Sequence, residues 1–153
     1  MAITTEQIKE LRDLTGISIM QCKKALEEAG GDKEKALVLL RQKGADIAAK
    51  KGDRTLGAGA IAAYIHSTGT IGAMVELVSE TDFVSKNEEF KKLAYDIAMQ
   101  VSATSPVESE ALLEQPFIKN PDLTIAQLIE SAIQKFGEKI QVERFVRFGV
   151  LEK

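Results

Sequence analysis

Residues 71–101 join two apolar patterns of different period. In the first, Ile71, Ala73, Val75 and Leu77 alternate with Gly72, Met74 and Glu76, the two-residue period of a strand with one buried face. In the second, Phe90, Leu93, Ala94, Ile97, Ala98 and Val101 recur at intervals of three and one, which places them on one side of an α-helix. Each apolar face needs a cover, and the two are near neighbours in the chain. The helix is therefore expected to lie across the strand's apolar side. Ser85 and Glu88 have the spacing of a capping box for its start.

The run before residue 71, GAIAAYIH, is also apolar, and Ser67-Thr68-Gly69-Thr70 separates it from the next. Two such runs around a short Gly-containing turn predict a β-hairpin. Downstream, Gln115-Pro116-Phe117 and Asn120-Pro121-Asp122 favour extended or turning backbone before each proline. Thr124 and Gln127 then cap a helix with Ile125, Leu128, Ile129 and Ile133 on its apolar side, ending near Gly137. The tail IQVERFVRFGV is rich in β-branched and aromatic residues and predicts a third strand. Its alternation is broken, because Phe145 and Val146 point to opposite faces. A bulge or burial of both faces would account for that.

The first fifty residues carry three start-and-stop signals. Thr4 with Gln7 opens a helix in which Ile8, Leu11 and Leu14 share a face, and Thr15-Gly16 closes it. Ser18 with Gln21 opens a second, with Ala25, Leu26 and Ala29 inward, and Gly30-Gly31 stops it. Asp32 caps a third, whose candidate core is Ala36, Leu37, Leu39 and Leu40. Helices this short are marginal alone, so the three are expected to pack as a bundle. From Lys43 to Thr55 the chain turns polar and basic, which reads as a helical extension entering a linker with a domain boundary near Gly52–Gly59. The predicted class is α+β: a three-helix module over 1–54, then a core of a small three-stranded antiparallel sheet backed by helices over 55–153.

Composition narrows the function. At 153 residues with 28% charged and 44% apolar residues, the chain has the balance of a soluble globular protein. A net charge of −3 argues against a nucleic-acid partner, since phosphate binding asks for a basic excess. Cys22 has no second cysteine to pair with, and Cys22 with His66 is too few for a zinc site. No metal or cofactor is expected. The start MAITTEQIKELRDL has neither the charge order nor the apolar segment of a signal or transit peptide, and no apolar run approaches a membrane span, so a cytoplasmic, membrane-free protein is expected. An enzyme reading is thin. His66 and Asp82 are the only acid–base pair worth naming, Cys22 reads as a packed thiol, and Gly57, Gly59, Gly69 and Gly72 match no phosphate-cradling motif.

Binding is left. In VELVSETDFVSKNEEF, Thr81, Asp82, Phe83 and Val84 connect strand to helix, and two readings are open. Phe83 or Val84 can plug the core near Phe90 as a hydrophobic staple, or Phe83 can project as an aromatic anchor with Asp82 beside it. Arg12, Ile19 and Met20 pose the same choice, at a tight turn where exposed apolar side chains suit a protein partner.

Four segments carry a resemblance. LRDLTGISIMQCKKALEEAGGDKEKALVLLRQKG, YIHSTGTIGAMVELVSETDFVSKNEEF, LLEQPFIKNPDLTIAQLI and FGEKIQVERFVRF together resemble bacterial elongation factor Ts, in that family's order and over nearly the whole chain. TGxxxMxCKKAL and ETDFVxxNEEF are specific enough that agreement at both by chance is implausible. The resemblance implies a nucleotide-exchange factor for elongation factor Tu, the GTPase that delivers aminoacyl-tRNA to the ribosome. It implies that the three-helix module is ubiquitin-associated-like (UBA-like) and grips the GTPase domain through its first turn, where Arg12, Ile19 and Met20 stand. It also implies that Thr81–Val84 reaches toward the partner's magnesium site, with Phe83 exposed. A UBA-like adaptor without exchange activity is the rival reading.

The chain departs from the family pattern in size. Many members carry two related core subdomains and a coiled-coil insertion, whereas this chain has room for one core and runs almost directly between matching segments from Val101 to Leu112. Its shortness and the two-faced strand with Phe145, Val146 and Phe148 lead to the expectation of a homodimer in which a second copy supplies the other core.

Overall fold

The computed structural model describes residues 2–152. Three helices come first: α1 (Thr5–Thr15), α2 (Ile19–Glu28) and α3 (Lys33–Lys50). The Thr4–Gln7 capping box forms, Ser18 accepts from the Gln21 N–H, and Asp32 accepts from Glu34 and Lys35. Gly16 adopts φ 71°, the left-handed stop that glycine supplies without a Cβ clash. Leu11, Ile17, Cys22, Ala25, Leu26, Ala36 and Leu40 make one buried cluster. Leu14 does not join it. It is mostly exposed, and Ile17, just past the turn, is buried in the cluster instead.

A second and larger cluster belongs to the rest of the chain. Strands β1 (Ala58–Ile65) and β2 (Ile71–Ser79) form the expected hairpin, and β5 (Ile140–Gly149) pairs antiparallel with β2, giving the order β1-β2-β5. Helix α5 (Glu88–Thr104) covers one face, with Phe90, Ala94, Ile97, Ala98 and Val101 fully buried against Ala73, Val75 and Leu77. At roughly 1.5–3 kcal/mol per large apolar side chain removed from water, this contact dominates the domain's stability. The register slips between Glu76 and Leu77, so Glu143 is an extra residue on β5. That bulge explains the broken alternation: Val142 and Phe145 both turn to the core side, while Val146 and Phe148 face out.

Between α5 and β5 lie α6 (Ser109–Glu114), a small β3 (Pro116–Phe117) and β4 (Asn120–Thr124) hairpin, and α7 (Ile125–Phe136). Gln100 lies on the inner side of α5 yet is fully buried. Its amide donates to Gln115 Oε1 and Pro116 O, both at 3.1 Å, and its Oε1 accepts from the Ile118 N–H at 3.0 Å. Every polar atom of the side chain has a partner, which removes the desolvation cost of burying it.

The second half of α3 leaves the first cluster and lies along α7, with Ile47 and Ala48 packed on the larger core. The crossing is close at Gly44, where a Cβ would stand 3.0 Å from Gln134 Oε1 and 3.5 Å from Glu130 O. The start of α5 differs from expectation. Asn87, not Ser85, is its N-cap and accepts from the Glu89 N–H at 2.8 Å, because Ser85 is taken up by a separate helical turn, α4 (Asp82–Ser85).

Candidate partner-binding site

The single turn α4 decides between the two readings of residues 81–84. Strand β2 ends at the fully buried Ser79, whose hydroxyl donates to Thr81 O at 3.0 Å and turns the chain out of the sheet. Successive helical residues are about 100° apart around the axis, and this turn sets Val84 and Ser85 inward and leaves Asp82 and Phe83 outward. Val84 is 7% exposed and packs into the core, and Phe83 is 91% exposed. The staple and the projecting ring are adjacent residues. Asp82 also faces water. Its carboxylate lies 3.8 Å from Lys86 Nζ, with both side chains open to solvent, a pair that adds little to stability.

Thr81 is the N-cap of α4 but makes no side-chain cap bond. Its hydroxyl instead donates to Glu138 Oε2 at 2.6 Å, and its N–H donates to Glu138 Oε1 at 2.9 Å. Next to it, Glu80 accepts from the Lys139 N–H at 2.9 Å and from Arg54 Nη1 at 3.4 Å. Lys139 Nζ donates to Gly52 O at 2.7 Å. Residues 80–81 are thus tied to the loop between α7 and β5 and to the segment after α3.

The first module presents a second exposed set. Ile19 and Met20, 54% and 82% exposed, begin α2 directly after the Gly16 turn. Arg12, in the last turn of α1, is exposed and has no ion-pair partner among the described residues. One side chain joins the two regions. The Lys135 ammonium pairs with Glu89 in the first turn of α5 and lies beside Gly16 at the end of α1. Burial pulls its pKa below the ordinary lysine value. Lys135 thus links the Gly16 turn, which precedes Ile19 and Met20, to the start of α5, which follows the Phe83 turn.

The candidate catalytic groups do not converge. His66 follows β1 at the hairpin turn, whereas Asp82 follows β2 at the opposite end of the same strand pair, and the imidazole Nδ1 lies 3.3 Å from the Tyr64 hydroxyl. Cys22 is buried, with Sγ 3.5 Å from Ile17 O. Burial pushes its thiol pKa up, against smaller opposing effects of the Thr15 hydroxyl and Arg12, which disfavours the thiolate a nucleophile needs. Among the described residues no group of His, Cys, Asp and Glu is arranged to hold a metal ion, and no helix is long and apolar enough to cross a membrane.

Known proteins supply the remaining observation. The elongation factor Ts of Carboxydothermus hydrogenoformans is 44% identical in an alignment that covers 98% of this chain and 90% of the relative. The chain belongs to the elongation factor Ts family. The family's own description, Elongation factor TS, matches residues 80–153, which include α4, its Glu138 anchor and β5. Elongation factors Ts of Thermodesulfovibrio yellowstonii and Desulforamulus reducens are 43% and 42% identical, each over 98% of this chain and over 97% and 90% of the relative. The alignment with the first relative runs over 195 positions against 153 residues here. Elongation factor Ts relatives therefore carry residues that have no counterpart in this chain.

Sequence reasoning named the four residues of the α4 segment and three at the first turn, and missed Glu138 and Lys135. Both lie in or beside FGEKI, more than forty residues from the partners named above, so no local spacing marks them.

Proposed function

We propose that this chain is the guanine-nucleotide exchange factor for elongation factor Tu in cytoplasmic translation elongation, with residues 1–54 as a UBA-like grip and α4 as the wedge. The observation that carries the reading is Phe83, an aromatic ring almost wholly in water on a turn whose next residue is sealed in the core. A bare ring on a loose loop would gain little on binding. A ring on an anchored turn brings its apolar area to a partner at small entropic cost.

The mechanism is linkage. GDP in a GTPase is held largely by backbone amides around its phosphates and by Mg²⁺, which offsets their charge. A factor that binds the nucleotide-free form more tightly than the loaded form weakens GDP by the same coupling free energy, typically about 1–3 kcal/mol per linked event. Arg12, Ile19 and Met20 hold the GTPase. Phe83, with Asp82 at its side, enters between the elements that support the metal and shifts them. Thr81 and Val84 act from behind, as the fixed base of the turn. No covalent bond changes, so the factor needs no catalytic side chain and no cofactor of its own.

The reading extends to a homodimer built on the 55–153 core. On the sheet face away from α5, Ile61, Ile65, Met74, Val146 and Phe148 are all exposed. Four of them are neighbours in register: Met74 stands between Ala63 and Val146, and Gly72 between Ile65 and Phe148, while Ile61 stands beside the Glu76–Arg144 pair. Soluble monomers seldom leave so continuous an apolar face uncovered.

Release of a fluorescent GDP from elongation factor Tu tests the exchange reading. Adding this protein should accelerate release, and Phe83→Ala should cut the acceleration by at least about tenfold while leaving the melting temperature unchanged. Tight binding of the GTPase with no acceleration would instead favour the adaptor. Full acceleration by Phe83→Ala would remove the wedge.

A further inference from the structure

We propose that Glu138 is the positioning residue that aims Phe83, an inference that rests on the wedge reading above. Helix α4 has four residues, too few to hold its own geometry in water. Three contacts beyond its own backbone bonds fix its direction. Val84 plugs it into the core from below, the Ser79 hydroxyl donates to Thr81 O at 3.0 Å, and Glu138 grips the N-cap from behind, one carboxylate oxygen on the Thr81 N–H and the other on the Thr81 hydroxyl.

That grip replaces the cap the turn would otherwise make for itself. An N-cap threonine ordinarily accepts, through its hydroxyl, from an N–H one turn on. Thr81 has the extended backbone of a cap, φ −129° and ψ 160°, but no such bond. Its hydroxyl is a donor, turned away from α4 to a carboxylate 57 residues later in the chain. The orientation of the Phe83 turn is thus set by the α7–β5 loop, which Gly137 introduces at φ 74°. Hydrogen bonds to an ionised carboxylate are short and strong compared with neutral ones, and two donors on two oxygens of one group also fix direction. The adjacent Glu80–Lys139 and Glu80–Arg54 bonds hold the strand end. They do not touch α4.

Removing the Glu138 carboxylate therefore leaves Val84, Ser85 and the core in place and frees only the angle at which Phe83 leaves the surface. The measurement uses the whole chain in five forms, wild type, Glu138→Ala, Glu138→Gln, Phe83→Ala and the Glu138→Ala Phe83→Ala double variant, with fluorescent-GDP release from elongation factor Tu followed across factor concentrations. Glu138→Ala should lower the maximal release rate roughly fivefold to tenfold, with a change of less than about twofold in the half-saturating concentration, because the first module still grips. In the Phe83→Ala background the same substitution should cost nothing further. Glu138→Gln, which keeps one accepting oxygen, should fall between wild type and alanine, and circular dichroism should give all five forms the same fold. An unchanged maximal rate in Glu138→Ala overturns the proposal, as does an equal loss with and without Phe83, which would mark Glu138 as merely structural. Wild-type exchange by Phe83→Ala would sink the wedge reading itself, and this inference with it.

Discussion

Glu130, on α7 where α3 crosses, shows how single residues record their surroundings. It is partly buried, and burial raises its carboxyl pKa above the ordinary value of 4.5. The folded state then holds the proton more tightly than the unfolded chain does, so stability falls as pH rises from the acidic side through the folded pKa. Its neutral analogue escapes that loss. Glu130→Gln should raise the melting temperature by about 1–2 °C at pH 7, with the gain disappearing below pH 4, where both forms are uncharged. A thermal melt series from pH 3 to pH 8 reads this directly, and a gain that persists at the acidic end would assign it to packing. The buried Gln100, with every polar atom bonded, carries no such penalty. At this scale the sequence speaks plainly where the partner is near. Thr4–Gln7 and Thr124–Gln127 were legible as capping boxes because both bonds close within three residues. Glu138 was not, since its partner Thr81 is near only in space.

At the scale of elements, the informative junction is α3 against α7. Gly44 is buried there, with a Cβ position 3.0 Å from the end of the Gln134 side chain and 3.5 Å from the Glu130 carbonyl. A methyl meets mainly a flexible amide that can move aside. A branched chain of four carbons would push the helices apart, so Gly44→Leu should cost roughly 1–3 kcal/mol of stability in urea unfolding while Gly44→Ala costs far less. Equal stability of the two variants would show that the crossing has room. The helix starts tell a related story. Ser85-x-x-Glu88 has the form of a capping box, yet Asn87 caps α5. The pattern was present, but Ser85 lies inside α4 with its hydroxyl donating to Asp82 O, and a residue already in one helix cannot cap the next. The short turn exists because Val84 finds a place in the core. Local spacing does not show that.

For the whole molecule, the open question is the outer face of the sheet. Val146 and Phe148, set outward by the bulge at Glu143, line it with Ile61, Ile65 and Met74. Light scattering should give a mass near twice that of the 16.7 kDa chain, and Phe148→Arg should bring it to the monomer value while the fold is kept, since Phe148 is 73% exposed. A monomer mass at every concentration of the unaltered protein would end the dimer proposal.

Sequence alone determined the strand and helix periods, the glycine stops, the family and the segment with Phe83. Each of these is written within a few residues, where backbone geometry and apolar spacing act directly. Tertiary structure decided which of two adjacent apolar residues, Phe83 or Val84, is sealed and which faces water, and that a carboxylate 57 residues away holds their turn. The reason is that a four-residue helix has too little internal hydrogen bonding to choose its own orientation. The core beneath it and the loop behind it make that choice.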